Sequence, residues 1–388
     1  MRMVKVAIIG MGVQGSAIAS TLTMVKEVSE VVCADINLSR ARRAVERLKD
    51  NRMVARWVNA DDTDSLSDVV RGVDVVINAT LPVFNLKIMD VALKRGAHYV
   101  DLASDNPLKQ LELDDKWKKT GLTAVITQGG PFIVNAAVKR VSEELDRVDE
   151  VRLRHGWRKL EEELIPVWRP SWCPEVALSE WEVEPTIYRD GRFERLPLFS
   201  GVEEYHFPEP LGPMKVCLVD YEPVYTLPRF IGKGIRYVDC KLPLDLAIGT
   251  LINMGLTSRK PVEVKGVKVV PRDVLMALIP HPADAIDEQA ERLDVLICYL
   301  AEVKGEKSGE KLIHVIYNST SVSECLRRFK VYSADVSVPT VVTALMLIKG
   351  EVEPGVIPPE GLPTELFLTR LNEWGITFQN KVVYLRGP

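Results

Sequence analysis

Over the first part of the chain, short runs of apolar, β-branched residues alternate with longer stretches whose apolar positions recur at helical spacing. Val4 to Ile9 is the first apolar run and predicts a strand. Ala17 to Val28 predicts a helix, and Val31 to Ala34 a second strand that ends at Asp35. Ser39 to Lys49 reads as the next helix, with Ser39 at its N-cap. Arg56 to Val58 reads as a third strand, and Asp64 to Arg71 as a short helix opened by acidic residues. Further strands are expected at Val73 to Ala79, His98 to Leu102 and Leu122 to Ile126. Helices are expected at Asn85 to Arg95, stopped by Gly96, and at Val134 to Glu144. Strands alternating with helices at this spacing imply a doubly wound parallel sheet.

The period changes near residue 148. Val151, Leu153, His155 and Trp157 alternate with Arg152 and Arg154, the period of two expected of a half-exposed sheet. Between Pro166 and Pro228 proline and aromatic residues are frequent, and Thr186 to Tyr188 predicts a strand before a hairpin turn at Asp190-Gly191. Gly234 to Leu242, Glu291 to Val303 and Lys311 to Tyr317 belong to a mixed, largely antiparallel second domain. Helices are expected there at Leu244 to Met254 and Asp273 to Leu278. Thr340 to Lys349 is too apolar to remain exposed and is expected to pack back on the first domain. The fold class is therefore α/β. A Rossmann domain is expected over 1–135, a mixed α/β domain over 136–336, and carboxyl-terminal helices returning to the first domain over 337–388. Two chain crossings, near 135 and 337, would form a hinge.

The junction between the first strand and helix carries chemistry. Gly10-Met11-Gly12-Val13-Gln14-Gly15 sits where a tight turn, an approach to a pyrophosphate and a close strand–helix contact each call for glycine. Asp35 stands 20 residues past Gly15, where an acid accepts hydrogen bonds from a ribose hydroxyl and repels a 2′-phosphate. Val13, Gln14, Ile36, Arg40, Asn78, Ala79, Thr80, Leu81, Asp101 and Gln128 complete the expected cofactor contacts. NAD is the expected cofactor. NADP stays open because Arg40, Arg42 and Arg43 can meet a 2′-phosphate, although these arginines also suit a solvated helix face.

Composition narrows the field. The chain has 388 residues, 46% of them apolar, enough for two cores. The net charge of −4, with dispersed Lys and Arg, predicts neither nucleic-acid nor membrane binding. No apolar run reaches 18 residues, the length a membrane span needs. Six cysteines are scattered without a CxxC pair, which argues for a reducing, cytoplasmic setting and against a structural zinc. Arg2 and Lys5 before an apolar run imitate a signal peptide, but the glycine turn and Asp35 fit a folded strand and helix better.

These motifs together resemble the saccharopine dehydrogenase-like family, which includes saccharopine reductases, lysine 6-dehydrogenases and carboxynorspermidine dehydrogenases. The resemblance rests on the glycine turn, Val75-Val76-Ile77-Asn78-Ala79-Thr80, Gly96-Ala97-His98-Tyr99-Val100-Asp101, and the glycine–proline turn with Asn135. It continues through Phe207-Pro208-Glu209-Pro210, Tyr221-Glu222-Pro223, Thr226-Leu227-Pro228, Val338-Pro339 and Gly355-Val356-Ile357-Pro358-Pro359-Glu360. It implies a nicotinamide nucleotide on the Rossmann domain, a second domain closing over it, and hydride transfer at a C–N bond of an amino-acid-like substrate. Phe132 and Trp157 depart from the family pattern, and both positions are expected near the substrate. Lysine 6-dehydrogenase-like deamination is the first substrate expectation and a saccharopine-like or other opine-type secondary amine the second. A catalytically silent nucleotide-binding protein of the same fold is the alternative, and a homodimer is the expected assembly.

Such a reaction needs a base for the amine proton and a carboxylate near the cationic imine. Asp101 and Glu222 are the candidates. Asp101 also reads as an N-cap for the segment at Ser104, and Glu222 as a surface acid. His155 is a candidate proton carrier or a core histidine. Arg154, Arg229 and Arg236 are candidate forks for a substrate carboxylate or surface ion pairs. Asn135 is placed to hold substrate or the nicotinamide amide. Arg154, His155 and Glu222 are expected on the second domain's wall of the cleft.

Overall fold

The computed structural model describes residues 3–159, 170, 172–279, 282 and 295–385. Two large sheets organise it. The first has seven strands, all parallel: β1 (Val4–Ile9), β2 (Val28–Asp35), β3 (Met53–Trp57), β4 (Val75–Asn78), β5 (His98–Asp101), β6 (Thr123–Val125) and, from the far end of the chain, β17 (Gly355–Ile357). Their spatial order is β17-β6-β5-β4-β1-β2-β3, which reverses at β1 and β4 as in a doubly wound sheet.

Side-chain alternation divides the core between the two faces of this sheet. Val6, Ile8, Val31, Cys33, Val75, Ile77, Val100 and Val125 point to one face, toward α1 (Val13–Thr23), α2 (Leu38–Leu48) and the helix Ala334–Ile348. Ala7, Ile9, Val32, Ala34, Val76, Tyr99 and Ala124 point to the other, toward α3 (Thr63–Val69), α4 (Asn85–Arg95), α5 (Pro107–Leu111) and α6 (Asp114–Lys118). Strands buried on both faces read as continuous apolar runs, which is why they are visible in the sequence.

The second sheet is mixed. It contains β7 (Arg147–Lys159), β8 (Thr186–Arg189), β9 (Arg192–Arg195), β10 (Glu203–His206), β11 (Pro213–Leu218), β12 (Tyr237–Pro243), β15 (Val295–Lys307), β16 (Glu310–Ser321) and β18 (Gln379–Tyr384). The short hairpin β13 (Val262–Val264) and β14 (Val267–Val269) stands apart. Among the described residues only β7 and β12 run parallel in it. Val151, Leu153, Tyr299, Ala301, Val303, Val238 and Cys240 face inward and join the core that covers α7 (Ile133–Glu144) and the first sheet. Phe207, Leu211, Val216, Cys298 and Leu300 form a smaller cluster.

Several expectations need correction. The first helix ends at Thr23, because Val28 is already paired with Val4 in the parallel ladder. Asn37, not Ser39, caps α2: its Oδ1 accepts from the Arg40 N–H at 3.2 Å. The apolar helix begins at Ala334, six residues before Thr340, and runs through Pro339. Its polar residues interrupt the sequence pattern but are matched in space, since the Thr21 hydroxyl donates to Ser337 Oγ at 2.8 Å and the Tyr299 hydroxyl donates to Asp335. The carboxyl-terminal segment is not all helical and does not all return to the first sheet. Gly355–Ile357 adds a strand beside β6, and Gln379–Tyr384 adds one beside β16. The chain therefore passes between the sheets three times, after α7, before Ala334 and between Glu373 and Gln379. Residues 166–169 and 171 of the proline-rich expectation, and 291–294 of the Glu291 to Val303 expectation, lie outside the described residues.

All six cysteines are free. Among the described residues, no single helix is long and apolar enough to cross a membrane.

The Ala334–Ile348 helix lies against α1, where Ile18 has no exposed surface. Ile18→Ala should lower the unfolding free energy by about 2–5 kcal/mol. Urea denaturation of the two proteins measures it, and a loss under about 1 kcal/mol would show that this contact is not a packed core.

Candidate active site

The nucleotide end of the site is built by backbone geometry. Gly10 has φ +97°, and a Cβ there would lie 2.6 Å from the Ala79 carbonyl oxygen. A Cβ on Gly15 would lie 1.8 Å from the Gly10 carbonyl oxygen, so the start of α1 approaches the end of β1 as closely as a glycine allows. A Cβ on Gly12 would meet nothing within 4 Å, which leaves open space against the amino end of α1. That combination fits a pyrophosphate. Asp35 is buried at the end of β2. Its Oδ2 accepts from the Met11 N–H at 2.7 Å, its Oδ1 accepts from the Asn37 N–H at 2.7 Å, and Arg40 Nη1 stands 3.9 Å away. The carboxylate thus braces the glycine turn. Val13 is buried at the start of α1, while Ile36 is exposed.

The strand ends carry a network of amides. Asn78 donates to Asn85 Oδ1 and the Tyr99 hydroxyl, and its own Oδ1 accepts from the Thr80 N–H and hydroxyl at 3.0 and 2.6 Å. This shapes the Ala79-Thr80-Leu81 turn. Gln128 is fully buried beyond β6, its N–H donates to the Asp101 carbonyl, and neither atom of its side-chain amide has a partner among the described residues. Orphaned buried amides are rare, and at this place they fit a bound group that supplies the partners.

Asp101 points inward. Its Oδ1 accepts from the Thr127 N–H at 2.7 Å and its Oδ2 from Gln110 Nε2 at 2.6 Å, with 1% of the residue exposed. Burial pushes its carboxyl up to about 7, and these hydrogen bonds pull the other way. It does not cap the segment at Ser104, whose N–H goes to Glu222. The carboxylate pins the turn at Thr127, which has φ +59°. Asn106, not Asp101, caps the helix that follows.

Glu222 reaches the strand ends from the second domain. It is 6% exposed, and its Oε1 accepts from the Ser104 N–H at 2.7 Å, three residues beyond Asp101. Burial pushes it up to about 8, with the Asp101 charge adding to the shift. His155 projects from the inner face of β7 with 1% exposure and no partner on either ring nitrogen among the described residues. Burial lowers it to about 3, helped by the Arg154 charge, so it stays neutral at physiological pH. Its ring stands edge-on to Tyr299, with centroids 5.6 Å apart, and 6.4 Å from Tyr221.

Arg154 is not on that wall. Adjacent strand residues face opposite ways, and its guanidinium is held by Asp239 at 2.6 Å and Glu203 at 2.8 Å. Arg229 is exposed at the end of the Pro223–Ile231 helix, and Arg236 is bound to Asp190 on the surface. Asn135, in the first turn of α7, donates to Glu360 Oε2 at 3.2 Å, and burial pushes Glu360 up to about 7. Phe132 packs edge-on against Tyr221, centroids 5.5 Å apart, and Trp157 against Trp172 at 6.4 Å.

The structure therefore gathers His155, Phe132 and Glu222 around Tyr221, and places the three arginines elsewhere. Sequence reasoning passed over Glu180, whose Oε2 accepts from the Tyr221 hydroxyl at 3.1 Å, and over Tyr299 and Asp335. Glu360 ends the Gly355 to Glu360 motif, but no spacing in the sequence connects it to Asn135.

Residues 6–125 match the family model described as the saccharopine dehydrogenase NADP binding domain, and residues 133–376 match that of the saccharopine dehydrogenase C-terminal domain. The chain belongs to the saccharopine dehydrogenase family. Two curated relatives span nearly all of it. Carboxyaminopropylagmatine dehydrogenase of Synechocystis sp. is 25% identical over 413 residues, covering 100% of this chain and 99% of that one. Carboxynorspermidine synthase of Vibrio alginolyticus is 26% identical over 409 residues, covering 95% and 94%. The fold matches that of apo saccharopine dehydrogenase (L-Glu forming) from Saccharomyces cerevisiae with a TM-score of 0.74 at 16% identity, covering 98% of this chain and 99% of that one. As a member of the family the protein is an NAD(P)-dependent dehydrogenase of amine substrates.

Removing the Asp101 pin leaves the buried Thr127 N–H unpaired. Asp101→Ala should cost about 1–3 kcal/mol of stability. Asp101→Asn should cost less, because the Gln110 amide can turn its oxygen toward the new donor. Urea unfolding of both variants tests this, and equal losses would show that hydrogen-bond matching is not the cause.

Proposed function

We propose that the protein forms, or in reverse cleaves, a secondary C–N bond: an amine and a carbonyl compound meet as an imine, which is reduced by hydride. The observation that carries this reading is Glu222, a buried carboxyl delivered from the second domain to the ends of the parallel strands, where a doubly wound sheet binds its ligands. Both curated relatives are named for carboxylated amines, which supports the opine-type reading over simple deamination of lysine.

Hydride adds readily to an imine carbon only when the nitrogen is protonated. Glu222, pushed up to about 8, carries its proton at neutral pH in a large share of molecules. In the protonated form it donates to the imine nitrogen, and the carboxylate left behind faces the cationic iminium. In the oxidative direction the carboxylate takes the ammonium proton and frees the lone pair. The bound nicotinamide nucleotide supplies or accepts the hydride; Gly10, Gly12 and Gly15 make room for its pyrophosphate, and Asp35 faces its ribose. His155 stays neutral and so acts as an acceptor in the cleft, not as an acid. Phe132, Tyr221 and Tyr299 shield the cleft from water, which competes for an imine.

Consumption of NADH by mixtures of amines and oxo acids or aldehydes tests the reading. Turnover is expected with amine and carbonyl together and not with either alone. Binding of NADH without turnover across a broad panel would favour the silent alternative. Glu222→Gln should lower kcat by about 10²–10⁴-fold with nucleotide affinity unchanged. The limb near pH 8 in the rate profile should vanish with it, and a retained limb would assign the proton to another group.

The coenzyme preference should follow Asp35. A carboxylate held by the Met11 and Asn37 N–H groups repels a 2′-phosphate, so NAD should bind more tightly than NADP. Asp35→Ser should raise use of NADP, with Arg40 supplying positive charge. Tighter NADP than NAD binding by the unchanged protein would overturn this.

A further inference from the structure

Gln128 carries an amide that the fold holds in place and leaves without partners. Its backbone is fixed from several directions. Its N–H donates to the Asp101 carbonyl at 2.8 Å. Thr127, just before it, turns the chain with φ +59° and is pinned by the Asp101 carboxylate. A Cβ on Gly129 would lie 2.3 Å from the Leu102 carbonyl oxygen, so the chain past β6 rests on the end of β5. Gly130 is packed under Val336, Asp335 and Tyr299. Yet Gln128 is 0% exposed, and among the described residues neither Oε1 nor Nε2 has a hydrogen-bond partner. A primary amide offers two donors and a carbonyl oxygen with two lone pairs. Native proteins rarely bury such a group unpaired, because the desolvation is not recovered.

The place of this amide narrows what could pair with it. In a doubly wound sheet the dinucleotide crosses the carboxyl ends of the strands at the switch point, here between β1 and β4. The half of the sheet that holds β2 takes the adenosine moiety. The nicotinamide half then extends over β4, β5 and β6, the end at which Gln128 stands. The missing partner must both donate and accept, since both amide atoms are orphaned. A carboxylate could accept from Nε2 but would leave Oε1 unpaired. A second carboxamide satisfies both, and the nicotinamide ring carries one.

We propose that Gln128 recognises the carboxamide of the nicotinamide ring, its Oε1 accepting from the ligand N–H and its Nε2 donating to the ligand oxygen. Gln128 is then the residue that distinguishes this ring from one with another substituent at the same carbon. Holding the amide also limits rotation of the ring about its bond to ribose, and so selects the face turned to the second domain. The assignment needs the nucleotide on the first sheet and does not depend on the imine chemistry proposed above.

Calorimetric titration of NAD⁺, 3-acetylpyridine adenine dinucleotide and ADP-ribose into the full-length protein, with no amine or carbonyl compound present, tests it. The acetyl group keeps the carbonyl oxygen but has no N–H, so it leaves Gln128 Oε1 unpaired. The analogue should bind about tenfold or more weakly than NAD⁺. Gln128→Met, close in size but unable to pair, should bring the two within about threefold. ADP-ribose has no nicotinamide, and its affinity should be the same for both proteins. Equal affinities for NAD⁺ and the analogue in the unchanged protein would overturn the proposal and leave a buried water as the partner of the amide. Tenfold discrimination kept by a Gln128→Met protein that binds ADP-ribose normally would overturn it as well. Gln128→Leu serves the same comparison should the first variant fail to fold. Failure of the unchanged protein to bind any of the three would remove the nucleotide site and this assignment with it. The titration holds no second substrate, so failure of the imine reaction leaves its outcome unchanged.

Discussion

The first turn of the Ala334–Ile348 helix is the contact on which the site depends. Ser337 joins it to α1 through Thr21, and Asp335 joins it to the second sheet through Tyr299. Between these, Gly130 is pressed so close that a Cβ would lie 2.9 Å from Val336 Cγ2 and 3.0 Å from Asp335 Oδ2 and the Tyr299 hydroxyl. Tyr299 is the cross-strand partner of His155. One helical turn thus sets the glycine turn after β6, the inner face of β7 and the first helix relative to one another. The helix is buried almost throughout, so its hydrophobic surface holds this alignment, and the few polar groups select its register.

Electrostatics divides the second sheet into two unlike faces. On one, Arg154 is buried with Asp239 and Glu203 in matched geometry, a structural network with no charge left for a ligand. On the other, Glu222 and His155 are buried and Glu180 is half-buried, and among the described residues none of the three has a countercharge. Desolvation drives all three toward their neutral forms, up for the carboxyls and down for the imidazole. Carboxyls whose protonated and ionised forms lie close in energy are what an amine-handling site requires, since a cation and a proton must be accommodated in turn.

The third passage between the sheets has a mechanical consequence. A hinge of two strands of chain turns freely about one axis. Here the Gln379–Tyr384 strand is a further tether along the edge of the second sheet. The Glu222–Ser104 hydrogen bond already spans the cleft.

The sequence alone determined six strands of the parallel sheet and the glycine turn at the end of the first. Strands buried on both faces must be apolar throughout, and the glycines at 10, 12 and 15 answer local steric demands that involve few residues. The alternating faces of β7 were legible for the same reason, because the period of two is local. The face Arg154 occupies follows from that period, yet its partners Asp239 and Glu203 lie far along the chain, so its exclusion from the cleft could not be seen. Asp101 was visible at a strand end, but whether its carboxylate faced the cleft or the Thr127 turn depended on Gln110 and on the path after β6. The polar start of the Ala334–Ile348 helix, the strands at Gly355 and Gln379, and the meeting of Glu180 with Tyr221 and Glu222 were decided only by tertiary structure. Each is a contact between groups distant in sequence, and desolvation, which sets their charge, exists only once the chain has enclosed them.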